Sequence, residues 1–251
     1  KIESKINKKT KAIMLVHLGG RIANMDYIGK ISKKYNIPII EDAAQSVGSK
    51  YKNKPSGSLG KIGCFSAHPL KNLNALGDSG YITTNSEKIY KTIKILSNHG
   101  HKNRDIIETF GHVSRMDTIQ AGILNYRLKN LNQTILTRRK NANLYRKYIK
   151  TKKVFITEED PNVFNTYHTF VIQVERRNKL KEFLDKNGIS TSIHYPIPIH
   201  LQPAAKKLKL DTKNLEMTEK QSQKIITLPV NQFLSEKEIK YICKMVNIFY
   251  D

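Results

Sequence analysis

Two residues of types that can do chemistry together, Asp42 and Lys71, lie on either side of a predicted strand. Asp42 follows an apolar run at residues 37–40, and ligands gather at the carboxyl ends of strands in parallel sheets. A buried lysine loses affinity for its proton, and its free amine can then attack an aldehyde to form an imine. An ordinary surface lysine and an aspartate that caps a helix or joins a buried ion pair are the alternatives.

The residues around Lys71 favour a site over a surface lysine. Pro69 comes before it, Asn72 follows it, and a tight turn at residues 77–80 leads into the next strand. Gln45 lies about one turn after Asp42 and offers an amide. The sequence therefore predicts an amine, a carboxylate and an amide in one place.

The first half of the chain alternates apolar runs with helical patterns, which is typical of a parallel sheet covered by helices. Strands are predicted at residues 12–17, 37–40, 64–66 and 81–84. Asn24 is expected to cap one helix and Ser86 to begin another. The first two strands and the helix between them form a β-α-β unit, at the end of which Asp42 lies, and Lys71 follows the third strand.

The second half predicts a different architecture. Residues 115–148 indicate two long helices, broken near residues 130–132, and strands are expected at residues 167–172 and 192–195. A last helix begins with a capping box from Ser235 to Glu238. We therefore expect a large domain over residues 1–130, then a connector helix and a small α+β domain over residues 131–251.

Composition narrows the classes of function. The 251 residues carry a net charge of +23, but the lysines are scattered and no nucleic-acid-binding motif occurs, so nucleic-acid binding is a minor alternative. The two cysteines lack metal-ligand spacing, so no metal site is expected. No stretch predicts a membrane span or a signal peptide, and we expect a cytoplasmic protein.

Many short motifs in order resemble the DegT/DnrJ/EryC1/StrS family of pyridoxal-phosphate-dependent nucleotide-sugar aminotransferases. They are Val16-His17, Met25-Asp26, Glu41-Asp42-Ala43-Ala44-Gln45, Gly57-Ser58-Leu59-Gly60, Cys64-Phe65-Ser66, Pro69-Leu70-Lys71-Asn72-Leu73, Gly77-Asp78, Asn98-His99-Gly100, Ser114-Arg115-Met116-Asp117, His194-Tyr195-Pro196 and His200-Leu201-Gln202-Pro203. The resemblance implies the α/β type I fold of pyridoxal phosphate enzymes, with a mainly parallel sheet in a partial large domain and a small C-terminal α+β domain.

The resemblance also implies roles for individual residues. Lys71 would form the imine with the aldehyde of pyridoxal 5′-phosphate, and Asp42 would pair with the pyridine nitrogen and keep the ring an electron sink. Gln45 would hydrogen-bond the ring hydroxyl, and Ser66 would bind the cofactor phosphate. His194, Tyr195 and His200 match a family stretch that we expect near the substrate, although packing around Pro196 and Pro198 explains them equally well.

The implied reaction moves an amino group from an amino acid, glutamate being the expected donor, to a keto group of a nucleotide-linked sugar. Such a reaction would serve the biosynthesis of cell-surface glycans or related sugars. Some relatives have histidine at the lysine position and dehydrate sugars, so Lys71 favours amino transfer. The resemblance further implies a homodimer with a composite active site, in which Arg115 is a plausible interface residue.

Two departures from the family pattern open an alternative. Gly111-His112-Val113 stands where the family has an asparagine before Ser-Arg, and valine cannot donate a hydrogen bond to the cofactor phosphate. The N-terminal portion of the family domain has no counterpart in the sequence, which would leave an apolar side of residues 12–17 uncovered and weaken cofactor binding. The alternative is a truncated or degenerate, non-catalytic relative that acts as a subunit or binding protein.

Overall fold

The secondary-structure elements come from a computed structural model that describes residues 1–208 and 215–251. In chain order they are β1 (Ile13–Val16), α1 (Met25–Tyr35), β2 (Ile39–Asp42), β3 (Lys50–Tyr51), β4 (Lys54–Pro55), β5 (Ile62–Ser66), β6 (Gly80–Thr83), α2 (Glu87–Leu96), α3 (Thr118–Leu128), α4 (Leu131–Tyr148), β7 (Val154–Ile156), β8 (Val163–Phe164), β9 (Phe170–Val174), α5 (Arg177–Lys186), α6 (Pro203–Lys207), α7 (Glu216–Lys224), β10 (Ile225–Leu228) and α8 (Glu236–Tyr250). They form two units, one of residues 1–136 and 160–168, the other of residues 137–159 and 169–251.

The main sheet of the first unit has the strand order β1-β2-β5-β6. β1, β2 and β5 run parallel, whereas β6 is antiparallel to β5. Asp42 pairs with Val16 on one side and with Cys64 on the other, so it stands in the middle of the sheet. The predicted mainly parallel sheet is therefore present, with one antiparallel strand at its edge.

One face of this sheet is covered by α1. The side chain of Asn24 accepts a hydrogen bond from the Tyr27 N–H and caps the helix, as predicted. Apolar residues then recur at helical spacing and pack on alternate residues of β1 and β2. Each large apolar side chain that is fully buried stabilises the fold by about 1.5–3 kcal/mol. The buried members of this cluster are Ile13, Leu15, Ile22, Met25, Ile28, Ile31, Ile37, Ile39, Tyr51 and Val163.

The opposite face of β1 is open. Met14 is 71% exposed and Val16 is 48% exposed, because successive side chains of a strand point to opposite faces and only the other set meets α1. β1 is also an edge strand of the main sheet.

A second apolar cluster of the first unit surrounds the segment that contains Lys71. Ala67, Leu73 and Ala75 are buried against residues of α3 and α4, among them Leu124 and Ile135. The three-stranded sheet β4-β3-β8 lies in the same unit, and its β8 comes from residues 160–168. The turn of Lys71 is thus anchored by buried neighbours on both sides in sequence.

The second unit is built on the antiparallel sheet β10-β9-β7. Its core includes Ile172, Leu180 and Ile239, all fully buried. α8 begins with the predicted capping box, since the Ser235 hydroxyl accepts from the Glu238 N–H while the Glu238 carboxylate accepts from the Ser235 N–H.

The strand predicted at residues 192–195 is wrong. Only Ser192 pairs, in an isolated bridge to Thr227 of β10. Pro196 and Pro198 follow closely, and proline has no N–H with which to extend a ladder. β10, for which the sequence predicted no strand, pairs antiparallel with β9.

Candidate functional site

Asp42 and Lys71 come together at the carboxyl end of β2. Burial lowers the pKa of the Lys71 amine, and the negative charge of Asp42 opposes this by raising it, so the two groups interact electrostatically. Burial also raises the pKa of the Cys64 thiol, with the charge of Asp42 acting in the same direction. The structure therefore brings the predicted amine and carboxylate into one site, with the Asp42 Oδ1 fixed by the N–H of Ala44 at 3.1 Å.

Gln45 and Ser66 border the same strand ends. The Gln45 Oε1 accepts a hydrogen bond of 2.7 Å from the Gly19 N–H, in a loop that follows β1. Ser66 is the last residue of β5, and its hydroxyl accepts from the His68 N–H at 3.3 Å. Both side chains are partly exposed, which leaves them reachable by a ligand.

The segment after Lys71 is held by side-chain bonds to the backbone. Asn72 is buried, and its amide donates to the Thr166 carbonyl at 3.0 Å. Asn74 bonds the Pro69 carbonyl, and the Lys71 N–H donates to the His68 carbonyl at 2.9 Å. The backbone of Lys71 is thereby fixed, while its side chain remains partly exposed.

Next to Asp42 lies a buried pair, His17 and Glu41, for which the sequence predicted no functional role. His17 and Glu41 are both 0% exposed, and the His17 Nε2 lies 2.9 Å from the Glu41 Oε2. Glu41 also accepts from the backbone N–H groups of Gly57, Leu59 and Gly60. Although burial raises the pKa of Glu41, the hydrogen bonds from His17 and this loop outweigh it, and the pKa lies below its ordinary value.

The residues expected near the substrate, His194, Tyr195 and His200, lie in the second unit. The His194 Nδ1 is 2.9 Å from the Thr227 hydroxyl, and Tyr195 is 54% exposed with its ring edge-to-face on His194. The His200 side chain is 8% exposed and its Nε2 lies 3.0 Å from Glu219. His194 and His200 thus lie within hydrogen-bond distance of other side chains, and Tyr195 is the most exposed of the three.

Val113, which departs from the family pattern, lies in a small irregular segment with Asn98. The two residues form an isolated antiparallel bridge, and Val113 is 59% exposed. Arg115 donates to the Asn98 side-chain oxygen at 3.2 Å. A groove of about 710 Å³ runs beside these residues and is lined by Cys64, Asp78 and Arg115, among others.

Comparison with protein-family models gives a match to the DegT/DnrJ/EryC1/StrS aminotransferase family over residues 1–247. The chain belongs to this family. The predictions of the family and of an aminotransferase enzyme are therefore confirmed.

Two curated relatives of this aminotransferase carry the names of sugar aminotransferases. The chain is 38% identical over 248 residues to dTDP-3-amino-3,6-dideoxy-alpha-D-galactopyranose transaminase of Aneurinibacillus thermoaerophilus, covering 98% of this chain and 68% of the relative. It is 35% identical over 242 residues to UDP-2-acetamido-2-deoxy-3-oxo-D-glucuronate aminotransferase of Pseudomonas aeruginosa, covering 96% and 67%. The chain thus spans about two thirds of the length of both relatives.

Solved structures confirm the predicted fold class. S. venezuelae DesV, in complex with a ketimine intermediate, superimposes with a TM-score of 0.95 at 30% identity, covering 100% of this chain and 68% of DesV. A Streptococcus pneumoniae protein described as a sugar aminotransferase, in its PLP form, gives a TM-score of 0.90 at 27% identity, covering 98% of this chain and 70% of that protein.

The donor set of this aminotransferase fits pyridoxal 5′-phosphate. A partly buried amine of lowered pKa faces a carboxylate, and an amide and a hydroxyl lie at neighbouring strand ends. Among residues 1–208 and 215–251 there is no cluster of three or more His, Cys, Asp or Glu side chains that could hold a metal ion. Over the same residues, no helix has both the length and the apolar character needed to cross a bilayer.

Proposed function

We propose that this chain transfers an amino group from an amino acid to the keto group of a nucleotide-linked sugar, with pyridoxal 5′-phosphate as cofactor. The observation that carries the proposal is the half-buried Lys71 amine beside the Asp42 carboxylate at a strand end. The names of the relatives, which are transaminases of dTDP- and UDP-linked sugars, support the substrate class.

In this proposal the cofactor residues are Lys71, Asp42, Gln45 and Ser66. When bound, pyridoxal 5′-phosphate supplies an electrophilic aldehyde and a ring that accepts electrons. Lys71 would hold the cofactor by joining its Nζ to the aldehyde carbon with loss of water. Once displaced by the amino-acid substrate, the same amine would carry the proton of the 1,3-shift, which requires the free amine that burial favours. Asp42 would keep a proton on the pyridine nitrogen by charge-assisted hydrogen bonding.

Gln45 and Ser66 orient the cofactor. The oxygen of the Gln45 amide accepts from Gly19, which turns the amide nitrogen into the group able to donate to a ring hydroxyl. The Ser66 hydroxyl provides a donor for a phosphate at the end of β5.

We propose that residues 1–130 form the cofactor-binding large domain and residues 131–251 a connector helix with the small domain. His194, Tyr195 and His200 contribute to substrate binding, and the exposure of Tyr195 favours it as the direct contact. The donor is glutamate, the product enters glycan or related sugar biosynthesis, and the enzyme works in the cytoplasm as a homodimer with a composite active site. The excess of basic residues suits a phosphorylated substrate.

The test is cofactor capture at a single residue. The purified chain is incubated with pyridoxal 5′-phosphate, reduced with borohydride, digested, and searched for a labelled peptide by mass spectrometry. We expect the label on Lys71 in the wild type and its loss in Lys71→Ala, with Lys61→Ala as the matched control because Lys61 is an exposed lysine near the same strand. Labelling spread evenly over many lysines, and unchanged in Lys71→Ala, would contradict the proposal.

Amino transfer is then tested with L-glutamate. The visible absorbance of the loaded protein is expected to bleach on addition of glutamate and to recover with a keto-sugar linked to dTDP or UDP. Recovery with neither sugar nucleotide, after bleaching by glutamate, would refute the sugar assignment and leave the cofactor assignment standing.

A further inference from the structure

The buried pair His17 and Glu41 lies outside the residues assigned to the cofactor, yet it is bonded to the segments that carry them. Four donors converge on the Glu41 carboxylate, namely His17 Nε2 and three backbone N–H groups of residues 57–60. A buried carboxylate is costly unless its oxygens are satisfied, and here each oxygen accepts two hydrogen bonds. These four hydrogen bonds fix the positions of the His17 ring and of the backbone of residues 57–60 relative to Glu41.

The proton on His17 has a defined place. The Ala23 N–H donates to Nδ1 at 3.2 Å, so Nδ1 is the unprotonated nitrogen. The proton is therefore on Nε2, which donates to Glu41 at 2.9 Å. Glu41 thereby selects the tautomer of His17 in which Nδ1 can accept a hydrogen bond from the Ala23 N–H. This bond joins the two ends of the loop of residues 17–23.

That loop reaches both cofactor residues on β2. The His17 N–H donates to the Asp42 carbonyl at 3.0 Å, and the Gly19 N–H donates to the Gln45 Oε1 at 2.7 Å. Because Glu41 and Asp42 are neighbours on a strand, their side chains point to opposite faces, so Glu41 acts from the buried side of the sheet. A series of hydrogen bonds therefore connects Glu41 with His17, His17 with Asp42, and the same loop, at Gly19, with Gln45.

We propose that Glu41 and His17 are positioning residues of the active site, which act by holding the 17–23 loop, and through it Asp42 and Gln45, in place. This inference rests on the proposed function for its consequence in catalysis. Its structural part stands on the cofactor-free protein alone.

Hydrogen exchange of the cofactor-free chain tests the structural part. Glu41→Gln keeps the shape but presents an amide group to two donors, whereas His17→Phe removes both ring nitrogens and leaves the Glu41 bonds to residues 57–60. In both variants we expect the Ala23 amide, and peptides that cover residues 17–23 and 42–46, to exchange roughly tenfold faster or more. Peptides that cover residues 57–60 should respond in Glu41→Gln only.

Ile28→Val is the matched control, because Ile28 is a core residue of α1 with no bond to this network. Exchange at residues 17–23 that is no faster in the two variants than in Ile28→Val would overturn the inference. Rapid exchange of the Ala23 amide in the wild type would overturn it as well. If Glu41→Gln does not fold, the exchange rates of the same peptides in His17→Phe decide whether the inference holds.

A second readout uses the chain loaded with pyridoxal 5′-phosphate. The midpoint of the pH titration of its visible absorbance is expected to move in Glu41→Gln and His17→Phe in the same direction as in Asp42→Asn, and to stay in Ile28→Val. Unchanged midpoints in a loaded protein would refute the catalytic part. A wild type that does not take up pyridoxal 5′-phosphate refutes the proposed function instead, while the exchange experiment still decides the structural part.

Discussion

Replacing Gly20 by alanine is expected to lower the free energy of unfolding of the first unit by about 2–6 kcal/mol. Gly20 has a φ of +96°, a conformation that strains any other residue by about 1–3 kcal/mol. An added Cβ would also lie 2.8 Å from the Tyr167 N and 2.9 Å from the Thr166 Oγ1. Relieving these contacts costs about 1–3 kcal/mol more, since backbone must move.

The chain offers a matched control in Gly29. It lies within α1, and a Cβ built there meets nothing within 4 Å. Because alanine favours a helix interior over glycine by about 0.5–1 kcal/mol, Gly29→Ala should stabilise the same unit. The pair therefore separates the local conformation of Gly20 from a general effect of replacing glycine.

The assay is urea unfolding of both variants, followed by far-ultraviolet circular dichroism, with the wild type alongside. Gly20→Ala should also bind pyridoxal 5′-phosphate more weakly, because the neighbouring Gly19 N–H holds Gln45. A Gly20→Ala variant within about 0.5 kcal/mol of the wild type would refute the reasoning, since that is the usual range of a neutral surface change. So would a Gly29→Ala variant as unstable as Gly20→Ala.

Three further outcomes are expected. Asp42→Asn removes the negative charge that raises the pKa of Lys71, so the pH at which Lys71 is half-labelled by a small aldehyde and borohydride should fall; a rise or no change would contradict the contact. Tyr145→Phe leaves the Pro229 carbonyl without the hydroxyl that now donates to it at 2.6 Å, and should lower the free energy of unfolding in urea by about 1–3 kcal/mol. An unchanged free energy of unfolding would contradict this. Ser235→Ala deletes the N-cap of α8 and should cost about 0.5–2 kcal/mol, whereas Ser58→Ala, in an exposed turn, should stay near zero.

The elements that position the site follow from local rules. Asn24 before Met25, Ile28 and Ile31 specifies a capped amphipathic helix, and the apolar run before Asp42 specifies a buried strand. The sequence also indicates that Asp42 stands at a carboxyl end, because parallel strands alternate with helices. These predictions succeed because each depends on residues a few positions apart.

The interior partners of the site depend on long-range contacts and could not be predicted in the same way. Nothing near Glu41 in sequence indicates that it bonds residues 57–60, or that it meets His17 from the end of the neighbouring strand β1. The signal that was available is an ionisable residue inside an otherwise apolar strand, since a buried charge requires partners. The wrong strand at residues 192–195 has the same origin, because the local sequence does not reveal that only Ser192 finds a partner.

The contribution of residues 160–168 to the first unit bears on the order in which a newly made chain can fold. β8 pairs with β3, the Thr166 N–H bonds the Gly20 carbonyl, and the Thr166 carbonyl accepts from Asn72. During translation β3, the Gly20 carbonyl and Asn72 lack these partners until the ribosome has made residues 137–159 and then residues 160–168. The surroundings of Lys71 are therefore completed only after residues 160–168 have been made, and a nascent chain that ends before residue 160 presents them to chaperones and proteases in an unfinished form.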